Sequence, residues 1–279
     1  MSKKDRTQKK LSVEPYKGVR DFYPPDQAFL NYLFATYTEV VERFGYVAYH
    51  ASILEPAELY KNKGAENEEM VREQTYTFLD RGGREVTLRP EMTPTVARMV
   101  ARKRRELGFP LRWYSIPNVF RYERPQRGRL REHWQLNIDI FGSKSLAADV
   151  EIITVADTLM KAFGATDSDF VIKLGSRAFL DSIVTQLGLS PEQGKKLFGL
   201  LDRKAKMSAD DFEREMTDLG IGAQMLSPEI LPKDVEEVLS MLRVQGITNA
   251  VFEPSIVRGF NYYSGVVFEI FDIHPDNNR

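Results

Sequence analysis

The earliest periodic run of apolar residues in the chain predicts a long helix. Between Pro25 and Gly45, apolar side chains recur at steps of three and four residues, which is the spacing of one helix face. These side chains are Phe29, Leu30, Leu33, Phe34, Tyr37, Val40, Val41 and Phe44. Gly45 follows where a helix usually ends in a residue with positive φ. Similar spacing predicts further helices over residues 93–107 and 149–163.

A strict alternation of apolar and polar residues predicts a half-buried strand over residues 133–140. One face would carry Trp134, Leu136, Ile138 and Ile140, and the other would carry His133, Gln135, Asn137 and Asp139. Residues 119–124 are expected to form its partner strand. Upstream, the stretch TYTFLDRGGREVTLRP predicts a hairpin that turns at Gly82 and Gly83. A short extended segment is expected over residues 46–54.

Residues 176–246 are expected to be mostly helical. Helix starts are indicated by Ser190 and Ser227, each followed by Pro, and by Ser208 in SADD. Strands are predicted again over residues 170–174, 250–253 and 260–271. The order of β-rich, helical and β-rich segments favours an α+β fold with an antiparallel sheet flanked by helices. We therefore expect a basic disordered tail over 1–15, a core over 16–170, an inserted helical subdomain over 171–246, and a return of the core over 247–279.

Composition excludes several kinds of site. The 279 residues include no cysteine, which excludes disulfides, thiolate zinc sites and a thiol nucleophile. The three histidines, His50, His133 and His274, are far apart, so no metal site is expected. Neither a membrane-spanning run nor a signal peptide is recognisable, and the net charge of −1 makes a DNA-coating surface improbable. These observations predict a soluble, cytoplasmic protein.

The most informative stretch is RYERPQRGRLREHWQLNIDIFG, which begins at Arg121. It contains five arginines and no lysine, namely Arg121, Arg124, Arg127, Arg129 and Arg131. A solvent-facing sheet surface would explain the alternation but not this choice, because the planar guanidinium suits bidentate binding of phosphate. No glycine-rich phosphate loop is present, so side chains would have to hold the phosphate.

Together with three other segments, this stretch resembles the class II aminoacyl-tRNA synthetases, in the form of the histidyl-tRNA synthetase family. The arginine stretch resembles the second class II motif, and RGFNYYSGVVFE resembles the histidine-specific signature. TLRPEMTPTVAR is similar to the RPEGT-type segment, and KGVRDFYP is similar to the N-terminal opening of the family. The resemblance extends from about Tyr16 to the last residue.

This resemblance implies a fold, a partner and a reaction. The fold would be the class II antiparallel sheet with helices on it and a helical insertion, and the chain would form a homodimer. ATP, with Mg²⁺ bridging its phosphates, and L-histidine would give histidyl-adenylate, and the histidine would then pass to the 3′ end of tRNA(His).

The resemblance also assigns roles to residues. Arg121 and Arg258 would contact the α-phosphate, and Gln135 joins them in the catalytic set. ATP would further meet Glu123 at the adenine end and Arg129 at the outer phosphates. The histidine ammonium would be held by Glu91, Thr93 and Gln135, and its imidazole would be read by Asp139 and Tyr263. The complete histidine set is Glu91, Met92, Thr93, Arg121, Gln135, Asp139, Arg258, Tyr262 and Tyr263.

Several positions depart from the family pattern. Asn261 stands in place of Asp, Ser264 in place of Thr, Met92 in place of Gly, and Ser52 in place of the proline of the first class II motif. The chain ends where the family continues into a third motif and an anticodon-binding domain, so weakened ATP binding is expected. Two alternatives are a regulatory subunit of ATP phosphoribosyltransferase, which is a non-enzymatic relative, and a fragment that only binds RNA. The retained Arg121, Gln135 and Asp139, with Arg258 and the two tyrosines, favour the enzyme.

Overall fold

The computed structural model describes residues 11–61, 74–123, 128–204, 207–222, 230–256 and 264–277. Its helices are α1 (Pro24–Arg43), α2 (Glu58–Lys61), α3 (Thr93–Lys103), α4 (Leu146–Ala162), α5 (Arg177–Gln186), α6 (Pro191–Arg203), α7 (Ala209–Asp218) and α8 (Lys233–Val244). Its strands are β1 (Val47–Ala48), β2 (Leu54–Pro56), β3 (Tyr76–Leu79), β4 (Glu85–Leu88), β5 (Leu111–Ser115), β6 (Asn118–Phe120), β7 (Glu132–Trp134), β8 (Asn137–Phe141), β9 (Phe170–Ser176), β10 (Ala250–Phe252) and β11 (Val266–Asp272).

The predicted first helix is confirmed. It ends at Arg43, and Gly45 follows with a φ of 81°, a backbone conformation that glycine adopts without steric cost. The chain divides into two compact units within this helix. Unit 1 comprises residues 1–34, 48–107 and 115–137, and unit 2 comprises residues 35–47, 108–114 and 138–279.

Unit 1 contains the predicted hairpin. Strands β3 and β4 pair in antiparallel register from Tyr76 opposite Leu88 to Leu79 opposite Glu85, and β2 pairs on the other side of β4. The Asp80 carboxylate accepts hydrogen bonds from the backbone N–H groups of Gly82 and Arg84, at 2.8 and 2.9 Å. Gly83 has a φ of 73°, as the tight turn requires.

The prediction of one strand over residues 133–140 is wrong. Strand β7 ends at Trp134 and pairs with β6, whereas β8 begins at Asn137 and belongs to another sheet, of order β1-β5-β8. The register places Trp134 opposite Asn118, so the next residue of the partner segment is Pro117. The carbonyl of Pro117 accepts a bond of 3.2 Å from Gln135 N–H, but proline has no N–H to donate. The ladder therefore stops at this point, although the predicted pairing with the segment around Val119 is confirmed.

Unit 2 contains most of the β1-β5-β8 sheet and a sheet of order β10-β9-β11. Strand β9 is antiparallel to β11 along its whole length and parallel to β10. One face of β9 lies in a core formed with helices α4 and α8, whose buried residues are Val150, Ile153, Phe170, Ile172, Leu174, Val235, Val238, Leu239, Leu242, Ile247 and Ala250. We call this the sheet core. The prediction of an α+β fold with antiparallel sheets and flanking helices is confirmed.

Helices α5, α6 and α7 enclose a second set of buried residues, which we call the helical core. It consists of Leu180, Ile183, Leu197, Leu200, Leu201, Met216 and Ile221. Ser190 caps α6 in a capping box with Gln193, and Ser208 caps α7, as predicted. Ser227 lies outside the described residues. The boundaries of the inserted subdomain, 171–246, remain a prediction. Within the described ranges, no helix is long and apolar enough to cross a membrane.

Candidate active site

Arg121 is the first candidate residue after β6, and two hydrogen bonds fix it in unit 1. Its backbone N–H donates to the Arg131 carbonyl at 2.9 Å, which continues the pairing of β6 with β7. Its Nε donates to the Pro90 carbonyl at 3.0 Å. This second bond holds the half-buried guanidinium against the segment that carries Glu91, Met92 and Thr93. The structure thus brings two of the sequence motifs together.

The segment after β4 is anchored by Arg89. The Arg89 side chain is 2% exposed, and its guanidinium donates to the Asn118 carbonyl at 3.0 Å and to the Ala51 carbonyl at 2.8 Å. The Phe120 N–H in turn donates to the Arg89 carbonyl at 3.0 Å. Because its nitrogen atoms bond to backbone oxygens inside unit 1, Arg89 ties the neighbouring strands together and is not presented to a ligand. Burial lowers the pKa of Arg89 from its ordinary value.

The candidate histidine-binding residues of this segment stand at the start of α3. Glu91 and Met92 are buried, and Thr93 is exposed as the first residue of the helix. Tyr60 supports them from α2, because its hydroxyl donates to the Glu91 carbonyl at 3.2 Å and lies 3.0 Å from Thr95 Oγ1. Burial raises the pKa of Tyr60 to about 12, so the phenol stays protonated at neutral pH.

The candidate ATP-binding residues Glu123 and Arg129 lie together. Arg129 Nη1 is 3.7 Å from Glu123 Oε2, and the Arg129 side chain is largely exposed. His133 also lies within the electrostatic influence of this group. Burial lowers its pKa, and the positive charge of Arg121 lowers it further, against an opposing effect of Glu123. His133 is therefore less readily protonated than a free histidine.

Gln135 lies in the break between β7 and β8. Its side-chain Nε2 donates to Asn137 Oδ1 at 2.9 Å, and its backbone N–H is bonded to Pro117. Both bonds lie in unit 1 and fix the half-buried amide beside the end of β7.

Asp139 lies on β8 in unit 2. Burial raises its pKa to about 6. Among the described residues, none donates a hydrogen bond to its buried Oδ2 atom. A carboxylate oxygen in this state costs free energy in the absence of a partner, and a ligand N–H group would supply the missing bond.

The candidates Arg258, Tyr262 and Tyr263 lie outside the described residues, and so do Arg124 and Arg127. The chain on both sides of residues 257–263 is anchored to the end of β9. Glu253 N–H donates to the Leu174 carbonyl at 2.8 Å, and Arg177 N–H donates to the Gly265 carbonyl at 2.8 Å. A Cβ added at Gly175 would lie 2.0 Å from the Ile256 carbonyl oxygen, so only glycine fits beneath this crossing.

Sequence reasoning did not identify the supporting roles of Arg89, Tyr60 and Arg131. Arg131 is 7% exposed and bonded within unit 1, although it stands among the arginines that were interpreted as phosphate ligands. The partial signal in the sequence is the position of Arg131 close before the predicted strand, because a residue next to a strand is more constrained than one in the middle of a loop. As for metals, the described part of the chain has no cluster of three or more His, Asp or Glu side chains able to hold an ion.

The sheets, their flanking helices and an arginine fixed beside a helix start define a class II aminoacyl-tRNA synthetase core, and comparison with known proteins makes this assignment specific. The family model for histidyl-tRNA synthetase matches residues 18–277, and the chain belongs to that family. It is 43% identical to a histidine–tRNA ligase of Leptospira biflexa over 98% of this chain and 67% of that protein. It is 35% identical to the enzyme of Thermoplasma volcanium over 94% of this chain and 65% of that protein. The chain thus spans about two thirds of the length of these curated relatives.

Solved structures agree with the fold. A histidyl-tRNA synthetase from Nostoc sp. PCC 7120 superimposes with a TM-score of 0.76 at 23% identity, covering 95% of this chain and 66% of that one. A Bacillus halodurans protein described as an ATP phosphoribosyltransferase regulatory subunit/histidyl-tRNA synthetase gives 0.77 at 23% identity, covering 95% and 74%. At this level of identity, the likeness concerns the fold alone.

Proposed function

We propose that this protein activates L-histidine with ATP and transfers it to the 3′ end of tRNA(His). The observation that carries the proposal is the bond from Arg121 Nε to the Pro90 carbonyl. It places a guanidinium with its planar fork against the segment of Glu91 and Thr93, in a chain of the histidyl-tRNA synthetase family.

The reaction needs no protein nucleophile. A carboxylate oxygen of histidine attacks the α-phosphorus of ATP, the bond to the bridging oxygen breaks, and pyrophosphate leaves. In the second step, a terminal ribose hydroxyl of the tRNA attacks the acyl carbon and AMP leaves. Catalysis would consist of positioning the reactants and neutralising charge in the transition state. Arg121 and Arg258 would neutralise the α-phosphate, with Gln135 beside the reacting carboxylate.

Substrate ATP would enter as its magnesium complex. Arg129 would bind its outer phosphates and Glu123 its adenine end. The pair that Arg129 and Glu123 form at 3.7 Å would then open, because each side chain would exchange this partner for the nucleotide. An exposed ion pair of this length is weak, so its loss would cost little.

The histidine pocket would combine charge and polarity. Glu91, Thr93 and Gln135 would hold the ammonium group, Asp139 and Tyr263 would read the imidazole, and Met92 and Tyr262 would line the pocket. The buried Oδ2 of Asp139 supports this role, because an imidazole N–H is a donor of the required kind. Analogues without a ring N–H would leave that oxygen unpaired and would be rejected.

We further propose that the protein is a cytoplasmic homodimer. In unit 1, the sheet of order β2-β4-β3 exposes Leu54, Phe78 and Leu79, of which Leu79 is 69% exposed. Large exposed apolar side chains on the two outer strands of one sheet favour a protein interface. Sedimentation of the purified chain, compared with a Phe78→Asp variant, tests this interface.

The histidine assignment is tested by Asp139→Ala in histidine-dependent ATP–pyrophosphate exchange. Loss of a charged hydrogen bond to the imidazole should raise the KM for histidine by about tenfold or more. The KM for ATP should stay within about twofold, because the substitution leaves the phosphate ligands in place. Asp210→Ala, which removes an exposed carboxylate on α7, is the matched control and should change neither constant. Equal increases in both constants for Asp139→Ala would refute the imidazole role.

A further inference from the structure

Arg131 is the last of the five arginines that the sequence analysis relates to phosphate binding, yet its side chain is bonded inside unit 1. Its Nε donates to the Glu123 carbonyl at 3.2 Å, and its Nη1 donates to the Lys17 carbonyl at 3.2 Å and the Tyr16 hydroxyl at 3.3 Å. The guanidinium carbon lies 4.0 Å from the centre of the Tyr122 ring and 5.7 Å from that of Tyr16. This is a fixed cation packed between aromatic rings.

The backbone of Arg131 completes the connection. Its N–H donates to the Gly18 carbonyl at 2.6 Å, and its carbonyl accepts from Arg121 N–H at 2.9 Å. Arg131 therefore bonds both to Arg121 and Glu123, in the segment after β6 that we call the ATP arm, and to residues 16–18. The N-terminal opening also contacts β7, because the ring of Phe22 packs edge-on against that of Trp134 at a centroid distance of 5.3 Å.

Gly18 determines the conformation of this N-terminal turn. Its φ is 87°, which side-chain-bearing residues rarely adopt, and Val19 N–H closes the turn on the Tyr16 carbonyl at 3.1 Å. In this conformation, the carbonyls of Lys17 and Gly18 both point to donors of Arg131. An alanine at position 18 would strain the turn and displace these two acceptors.

We infer that the turn formed by Tyr16, Lys17 and Gly18 is a brace for the ATP site. It fixes Arg131, and Arg131 in turn positions the ATP arm, which carries Arg121 and Glu123. Arg131 is thus a positioning residue that acts through its neighbours. The inference rests on the proposed function, since that function makes Arg121 and Glu123 ligands of ATP.

The test uses equilibrium binding of Mg·ATP to the 279-residue chain, measured by calorimetry. Gly18→Ala and Arg131→Lys should each weaken Mg·ATP binding by about tenfold. Either change breaks hydrogen bonds between Arg131 and the N-terminal turn, so Arg131 no longer holds Arg121 and Glu123 in place. L-histidine affinity should fall by less than Mg·ATP affinity does, because Glu123 is assigned to ATP alone and Arg121 is one of several histidine ligands. In the double variant, the loss should be close to that of one single variant, because both act through the same contacts.

Gly220→Ala is the matched control. Gly220 has a φ of 74°, and a Cβ added there would meet open space, so the backbone strain is comparable, but it lies after α7 in unit 2. This variant should bind Mg·ATP as the original chain does, and circular dichroism should show that all variants are folded.

Four outcomes would overturn the brace. They are unchanged Mg·ATP affinity in both variants, a loss that Gly220→Ala reproduces, additive losses in the double variant, and an original chain that binds no Mg·ATP. Failure of the proposed function gives a different result. The unsubstituted chain would then bind Mg·ATP but catalyse no histidine-dependent ATP–pyrophosphate exchange. In that case the Mg·ATP binding constants of the variants still decide whether the brace exists.

Discussion

The carboxyl group of Asp139 is buried on β8, and this has a consequence for the stability of the protein. Its pKa is about 6 in the folded state, above the ordinary value of 3.8, because burial disfavours the charged form. Below pH 3.8 the carboxyl group is protonated in both the folded and the unfolded protein, so its ionisation does not lower the free energy of unfolding. Between pH 3.8 and 6 the unfolded state loses this proton while the folded state keeps it, so stability falls across that window and levels off above pH 6.

We therefore predict that Asp139→Asn stabilises the free protein at pH 7.5. A pKa raised by about two units corresponds to an upper limit of about 3 kcal/mol in the free energy of unfolding. Urea unfolding at pH 7.5 and near pH 4 measures this, and the gain should be small at the lower pH. The same variant should lose affinity for histidine. A gain that is equal at both pH values would show that the ionisation of Asp139 is not its cause.

Individual arginines show what the sequence could not reveal. Arg89, Arg121 and Arg131 look alike in the sequence, and each is a strand-associated arginine near a candidate motif. Their roles differ because Arg89 bonds to carbonyls inside unit 1, Arg131 bonds to the N-terminal turn, and Arg121 uses its Nε for Pro90. Residue type predicted that guanidinium groups gather here. The backbone oxygens that they bind depend on tertiary pairing, which no local pattern contains.

Helices and hairpins were predicted better than strand ends. The helix α1, the β3–β4 hairpin and the caps of α6 and α7 follow from local spacing and from local side-chain bonds. The break at Gln135 depends on Pro117, which directly precedes the neighbouring strand β6. The alternation of apolar and polar residues along one strand contains no information about a missing N–H group in its partner. The single strand predicted over residues 133–140 is therefore two strands, β7 and β8, in the structure.

Helix α6 allows a test of a local signal. Ser190 Oγ accepts from Gln193 N–H at 3.2 Å, and Gln193 Oε1 accepts from Ser190 N–H at 2.9 Å. Ser190→Ala removes the first of these bonds and should lower the free energy of unfolding by about 1 kcal/mol in urea titrations. Ser240→Ala, at an exposed position inside α8, is the control and should be neutral or slightly stabilising. Equal destabilisation by both would contradict the capping role.

Over the chain as a whole, unit 2 contains two separate sets of buried residues. The sheet core draws on α4, α8, β9 and β10, whereas the helical core draws on α5, α6 and α7 and on Ile221. In the helical core, the residues that pack together are close in sequence. In the sheet core, they come from segments that are distant in sequence. Such a division favours opening of the helices without loss of the sheet, as expected of an inserted subdomain.

Hydrogen exchange in two core variants tests this division. Leu200 is 1% exposed in the helical core, and Leu200→Ala should cost about 3 kcal/mol there, so amide exchange in α5, α6 and α7 should accelerate while β9 and β11 keep their protection. Leu239 is 4% exposed in the sheet core, and Leu239→Ala should accelerate exchange in α8 and β9. If Leu200→Ala accelerates exchange in β9 as much as in α6, the two cores unfold together. In that case, helices α5, α6 and α7 do not form a subdomain of their own.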